Sequence, residues 1–182
     1  MNANRMKFFM GSGVAALLLF ALPSCRSIPE NAVVVKPFDR QRYLGRWYEI
    51  ARLDFKHERN LNNTTATYAL NDDGSIRVVN RGYNYVTGEW KQATGKAKAA
   101  GAADEGRLKV SFFGPFYSGY NVLALDRDYN YALVAGKNLK YLWLLSRSKT
   151  MPDSIRKAYL DQAARLGYKV ADLVWVVHDK NE

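Results

Sequence analysis

The chain has one cysteine, Cys25, and two histidines, His57 and His178, among 182 residues. One cysteine excludes an internal disulfide. The two histidines have no ligand-like spacing to each other or to a carboxylate pair, so no metal centre is readable. The mature chain has no Gly-x-Ser-x-Gly turn, which removes the nucleophile elbow of a lipase. Glu49 and Asp54 form no acid–base pair that the pattern supports. These absences argue against an enzyme, and no cofactor is implied. Acidic residues are also short, 17 against 27 Lys and Arg, which leaves a net charge of +10. The bases are spread along the chain rather than gathered in a block or stripe, so nucleic acid is not the expected partner. They suit a surface beside anionic headgroups, where each nearby base adds about 1 kcal/mol of attraction.

Long apolar runs are absent except for one near the start, FFMGSGVAALLLFAL. It is short, and Pro23 and Ser24 follow it directly, which does not suit a spanning helix. Arg5 and Lys7 precede it, so residues 1–24 read as a secretory signal. Leu22-Pro23-Ser24-Cys25 resembles the bacterial lipobox, in which the cysteine is acylated and becomes the new N-terminus. One acyl chain holds a protein on a bilayer only marginally, whereas two or more hold it stably. Arg26, rather than Asp, follows Cys25. By analogy with lipoprotein sorting, that favours the bacterial outer membrane, facing the periplasm. Loss of Arg5 and Lys7 with the signal reduces the net charge from +10 to +8. Residues 25–37 read as an acylated N-terminus and tether, whose Val-rich centre can lie against the domain that follows, 38–182.

What the chain has is aromatic and hydrophobic mass, with 12 Tyr, 8 Phe and 4 Trp and 48% hydrophobic residues. That composition belongs to one globular domain rather than a disordered chain. Short strand-like runs fill 45–54, 64–71, 75–83, 89–100, 107–113, 119–126, 131–136 and 140–147. Turn signals such as Asn-Asp-Asp-Gly at 71–74 separate them. Eight strands joined in series by short turns describe an up-and-down antiparallel sheet. Closing it into a barrel removes its two edges. The expected fold is therefore all-β with one α-helix. The helix follows Met151, with Asp153 or Ser154 as cap, Gly167 at its end, and a stripe of Ile155, Ala158, Tyr159, Gln162, Ala163 and Leu166. A short ninth strand at 173–178 completes the domain.

With these residues in hand, the chain resembles a lipocalin, of the bacterial branch similar to apolipoprotein D. The resemblance spans about Phe38 to His178. It rests on Gly45-Arg46-Trp47 within YLGRWYEIAR, on LDRDYNYALV at 125–134, and on LWLLSR ending at Arg147. Relatives often have Thr-Asp-Tyr where this chain has Arg127-Asp128-Tyr129. The resemblance implies that Trp47 lies across the closed end of the barrel with Arg147 packed over it. Gly45, Trp47, Asp128 and Arg147 are then structural.

Alternation assigns the inward face. It groups Ala66, Tyr68 and Leu70; Ile76, Val78 and Asn80; Leu108, Val110 and Phe112; Tyr120, Val122 and Ala124; and Trp143, Leu145 and Arg147. On 89–100, Ala93, Gly95, Ala97 and Ala99 share a face and leave room inside. The resemblance to apolipoprotein D supports Tyr68, Asn80 and Trp143 as cavity residues. Tyr68, Asn80, Phe112, Tyr120, Val122 and Trp143 are the expected ligand contacts. The expected partners are single-chain lipids, fatty acids or lysophospholipids, together with the membrane through Cys25. A homodimer, a scaffold with no ligand, and a carrier of haem or another hydrophobic cofactor remain as alternatives.

Overall fold

The computed structural model describes residues 27–180. The expected signal at 1–24 and the acylation site at Cys25 lie outside the described residues. Eight strands close into an antiparallel barrel: β1 (Gly45–Leu53), β2 (Leu61–Leu70), β3 (Ile76–Asn84), β4 (Glu89–Ala99), β5 (Arg107–Phe113), β6 (Phe116–Leu125), β7 (Tyr131–Ala135) and β8 (Leu142–Ser146). Each strand pairs with the next, and β1 pairs with both β2 and β8, which closes the sheet. Trp47 opposes Ala66 across β1 and β2, and Arg52 opposes Trp143 across β1 and β8.

The closing strand, β1, carries an irregularity. The register of β1 against β8 shifts between Glu49 and Ala51. Before the shift β1 pairs with β2; beyond it, Ala51–Leu53 pair with β9 (Leu173–Trp175). The ninth strand therefore occupies an edge that β1 would otherwise leave open.

Two apolar clusters lie on the two sides of the sheet. The inner one includes Trp47, Tyr68, Ile76, Val78, Leu108, Val122 and Leu145. The outer one joins Ile50, Leu133, Leu142 and Leu144 to Tyr159 and Ala163 of helix α2 (Asp153–Arg165). Helix α1 (Arg40–Tyr43) is too short to leave a period in the sequence; the Asp39 carboxylate caps it by accepting from the Gln41 and Arg42 amides. On α2, Pro152 takes the cap position without a side-chain bond. Neither Asp153 nor Ser154 caps it, and Asp153 binds Arg156 instead. The helix ends in a Schellman pair, with Gly167 and Tyr168 amides donating to the Ala164 and Ala163 carbonyls and Gly167 at φ +91°. Ala158 is exposed, and Leu160 packs on the outer cluster beside the rest of the predicted stripe.

Candidate functional site

The closed end is built around Trp47, which is fully buried and donates from Nε1 to the Tyr43 carbonyl at 2.9 Å. The Arg147 guanidinium lies 3.9 Å above the indole. It donates to the carbonyls of Arg46 (2.8 Å), Arg42 (2.9 Å) and Tyr129 (3.2 Å). Gly45 precedes this contact at φ +91°, and a Cβ there would sit 3.3 Å from Arg147 Nη1. Both conformation and space therefore favour glycine. In the neighbouring turn the organising carboxylate is Asp126, which accepts from the amides of Asp128, Asn130 and Tyr131. Asp128 itself is exposed. The family motif points to the right turn, but the hydrogen bonds converge two residues earlier.

Above this plug the barrel floor is aromatic. The Tyr43 ring is the hub, with centroid distances of 5.1 Å to Phe38, 4.8 Å to Trp47 and 5.6 Å to Tyr68. Three hydroxyls form a chain, Tyr43 to Tyr120 at 2.7 Å and Tyr120 to Tyr68 at 2.9 Å. Burial is the main cause that raises all three phenols above their ordinary range, so they stay protonated. Val122 is fully buried at this level.

The wall higher up is less filled. Asn80 points inward opposite Ala66 and Ala93, and its Oδ1 is buried with no partner. Such a group costs about 1–3 kcal/mol unless a ligand or water meets it. Phe112 packs against the inner cluster and lies over Gly95, where a Cβ would come within 2.8 Å of the ring. The small-residue face of β4 is thus partly occupied. Gly95 makes way for Phe112, Ala97 is buried, and Ala93, high in the wall, and Ala99, near the closed end, are exposed. Two inward assignments fail. Leu70, at the closed-end tip of β2, is 49% exposed. The register of β6 shifts between Val122 and Ala124, so Leu125 packs inward and Ala124 packs on the outer cluster. The extra residue of the bulge inverts the alternation beyond it.

The mouth carries a charged cluster that strand alternation hid. Arg52, 1% exposed, donates to Glu49 Oε1 at 2.7 Å and to the carbonyls of Glu58 and Leu61. Glu58 accepts from Trp143 Nε1 at 2.9 Å. Burial, reinforced by the Glu49 charge, pushes the Glu58 carboxyl up to about 8. Glu58 therefore holds its proton well above the usual carboxylate range. Strict alternation would place Ala51 beside Trp47 and Glu49. The β1 bulge instead brings Arg52 to that face, so no periodicity in the sequence marks the cluster. Phe55 stands edge-on to Trp143 at 5.7 Å, and the exposed His57 packs between Phe55 and Phe113. His178 lies on the outer wall, 2.8 Å from the Glu49 carbonyl.

Two surface hollows lie outside the barrel. One of about 200 Å³ is walled by Tyr48, Asn63, Trp90 and His178. The other, about 550 Å³, lies at the closed end against Phe38, Leu44 and Leu70. None of the six expected ligand residues lines either. The structure gathers those six within the barrel: Tyr68, Tyr120 and Val122 low, and Asn80, Phe112 and Trp143 above them.

A closed meander barrel, plugged at one end by Trp47 and Arg147, defines a calyx-type binding protein. The chain belongs to the lipocalin-like domain family, whose model matches residues 38–178. Proteins of this family bind small hydrophobic molecules and are not enzymes. The chain is 51% identical to outer membrane lipoprotein Blc of Escherichia coli (strain K12) over 164 residues, covering 89% of this chain and 93% of that protein. It is 34% identical to apolipoprotein D of Mus musculus, over 73% of this chain and 71% of that one. The solved structure of insecticyanin from the tobacco hornworm Manduca sexta superposes with a TM-score of 0.67 at 22% identity, covering 84% of this chain and 86% of that one. That likeness concerns the fold alone.

Proposed function

We propose that this lipocalin is anchored through acylated Cys25 to the outer membrane and reversibly binds single-chain lipids in its barrel. Fatty acids and lysophospholipids are the ligand class. Its role is storage, transfer or scavenging of such lipids in the envelope. The name of the Escherichia coli relative, outer membrane lipoprotein, supports the location. The observation that carries the ligand reading is the uneven filling of the barrel. Rings meet one another at the floor, whereas higher up Asn80, opposite the small, exposed Ala93, keeps an unpartnered oxygen.

Magnitudes select the ligand. Burying an acyl chain is worth about 0.8 kcal/mol per methylene against water. Against a membrane the gain nearly vanishes, because the chain already lies in hydrocarbon. A barrel therefore competes best for lipids that membranes hold weakly, and a single chain is one of these. The chain lies against Phe112 and Trp143 with its polar head at the rim.

The test uses the domain without its signal and with Cys25→Ser. It is titrated with a fatty acid, a lysophospholipid and a two-chain phospholipid while tryptophan emission is followed. Saturable binding of the single-chain lipids, with most of the signal lost in Trp143→Phe, is the expected result. A folded domain that binds none of the three refutes the carrier reading.

A further inference from the structure

The segment before the barrel is a strap with a direction. At the closed end the Phe38 amide donates to the Asp104 carbonyl. Val35 then bonds to both Gly106 and Val122. Reading back toward the N-terminus, the strap runs along β6 to Ser27, whose carbonyl accepts from Asn121 Nδ2 at 2.9 Å. The same fully buried amide also reaches the Gly136 carbonyl, where the β7–β8 loop of the mouth begins. Any side chain at Gly119 would collide with the Ser27 carbonyl, so glycine there admits the strap. Only two residue steps separate Ser27 from Cys25, a reach of about 7 Å. Ser27, the first described residue, thus ties the chain to the mouth half of the wall rather than to the plug.

The mouth is independently shaped for a lipid surface. Among the described residues, six of the ten exposed large hydrophobics sit on or beside its loops. Tyr85 and Val86 form the β3–β4 turn, Phe113, Phe116 and Tyr117 the β5–β6 hairpin, and Leu139 the β7–β8 loop. Phe113 and Phe116 are 72% and 80% exposed. Lys137 and Lys140 bracket Leu139, and Lys56 is exposed on the β1–β2 loop. The acids at this end are Asp54, paired with Arg59, the exposed Glu89 and Asp172, and the buried Glu49 and Glu58. The turns of the opposite end carry Asp72, Asp73, Asp104, Glu105, Asp126 and Asp128, set among Lys36, Arg40, Arg42, Arg127 and Arg147. Apolar loop tips beside lysines suit the headgroup–acyl boundary of an anionic bilayer.

We propose that the mouth of the barrel faces and touches the membrane that holds the anchor. The Phe113–Phe116 hairpin and Leu139 enter the boundary layer, and the calyx opens directly onto its lipid source. This orientation rests on the acylated Cys25 of the proposed function.

The test uses the full acylated chain in vesicles of phosphatidylethanolamine and phosphatidylglycerol. Acylation blocks the native thiol, so Phe116→Cys, Leu139→Cys and Ala103→Cys each take one fluorescent label. Ala103 marks the closed end. Nitroxide-bearing lipid is expected to quench the labels at 116 and 139 strongly and to leave the label at 103 bright. A bright mouth label with the chain floating on vesicles overturns the orientation. So does quenching at 103, or a mouth label shielded from lipid and cross-linked to a second copy. A chain that does not float overturns the anchoring as well. Ligand titration of the Cys25→Ser domain tests the carrier reading separately, and its failure leaves the orientation result standing.

Discussion

Replacement of Arg147 tests the closing of the barrel. In Arg147→Ala three backbone carbonyls, of Arg42, Arg46 and Tyr129, lose their donors. Each charge-assisted bond at this half-exposed position is worth about 1 kcal/mol. The guanidinium stacked on Trp47 adds about 1 kcal/mol more. The expected loss is about 4 kcal/mol, a large share of a small domain's stability. Arg147→Lys keeps a charge near the indole but cannot present three donors in one plane, so about half of that loss is expected. Equilibrium urea unfolding, followed by far-ultraviolet circular dichroism, measures both variants. An alanine variant within about 1 kcal/mol of the parent refutes the reasoning, as does a lysine variant no better than alanine.

Three further outcomes are expected. Glu58 has a folded-state pKa of about 8, raised by burial and by Glu49. Its stabilising contribution is present in full below the unfolded value, about 4.3, and is lost as pH rises through about 8. Melting temperatures of the parent should therefore fall more steeply from pH 5 to 9 than those of Glu58→Gln; parallel curves contradict this. Gly45→Ala, forced to φ +91° against Arg147, should cost about 1–2 kcal/mol in the same urea assay. Gly119→Ala should displace the strap, so limited proteolysis within 27–34 accelerates while the barrel core stays resistant; unchanged cleavage rates contradict the Ser27 contact.

Much of this architecture is legible in the sequence because two-residue alternation and turn chemistry are local. Gly74, at φ +74°, closes the hairpin that Asn71–Gly74 predicts. The inward assignments of Ile76, Val78, Leu108, Val110 and Leu145 follow from alternation within unbroken stretches of strand. Alternation fails where a strand carries an extra residue, since nothing in the composition of VLAL or YEIAR marks a bulge. Ala124 turns outward for this reason, and Arg52 becomes the centre of the mouth cluster without a mark in the sequence. Glu58 is hidden differently. It lies in a polar loop, and its burial comes from contacts with Arg52 and Trp143 that are distant in the chain.

The tyrosine chain at the floor has a consequence in proton counting. Three hydroxyls carry three protons, yet they share two hydrogen bonds. However the bonds are oriented, one O–H is left over. Tyr120 takes part in both bonds, so its replacement by Phe breaks both and isolates Tyr43 from Tyr68. Removal of either outer hydroxyl breaks one. The floor of the barrel thus always has a surplus donor, and an acceptor atom at the deep end of a ligand is the group that would complete it.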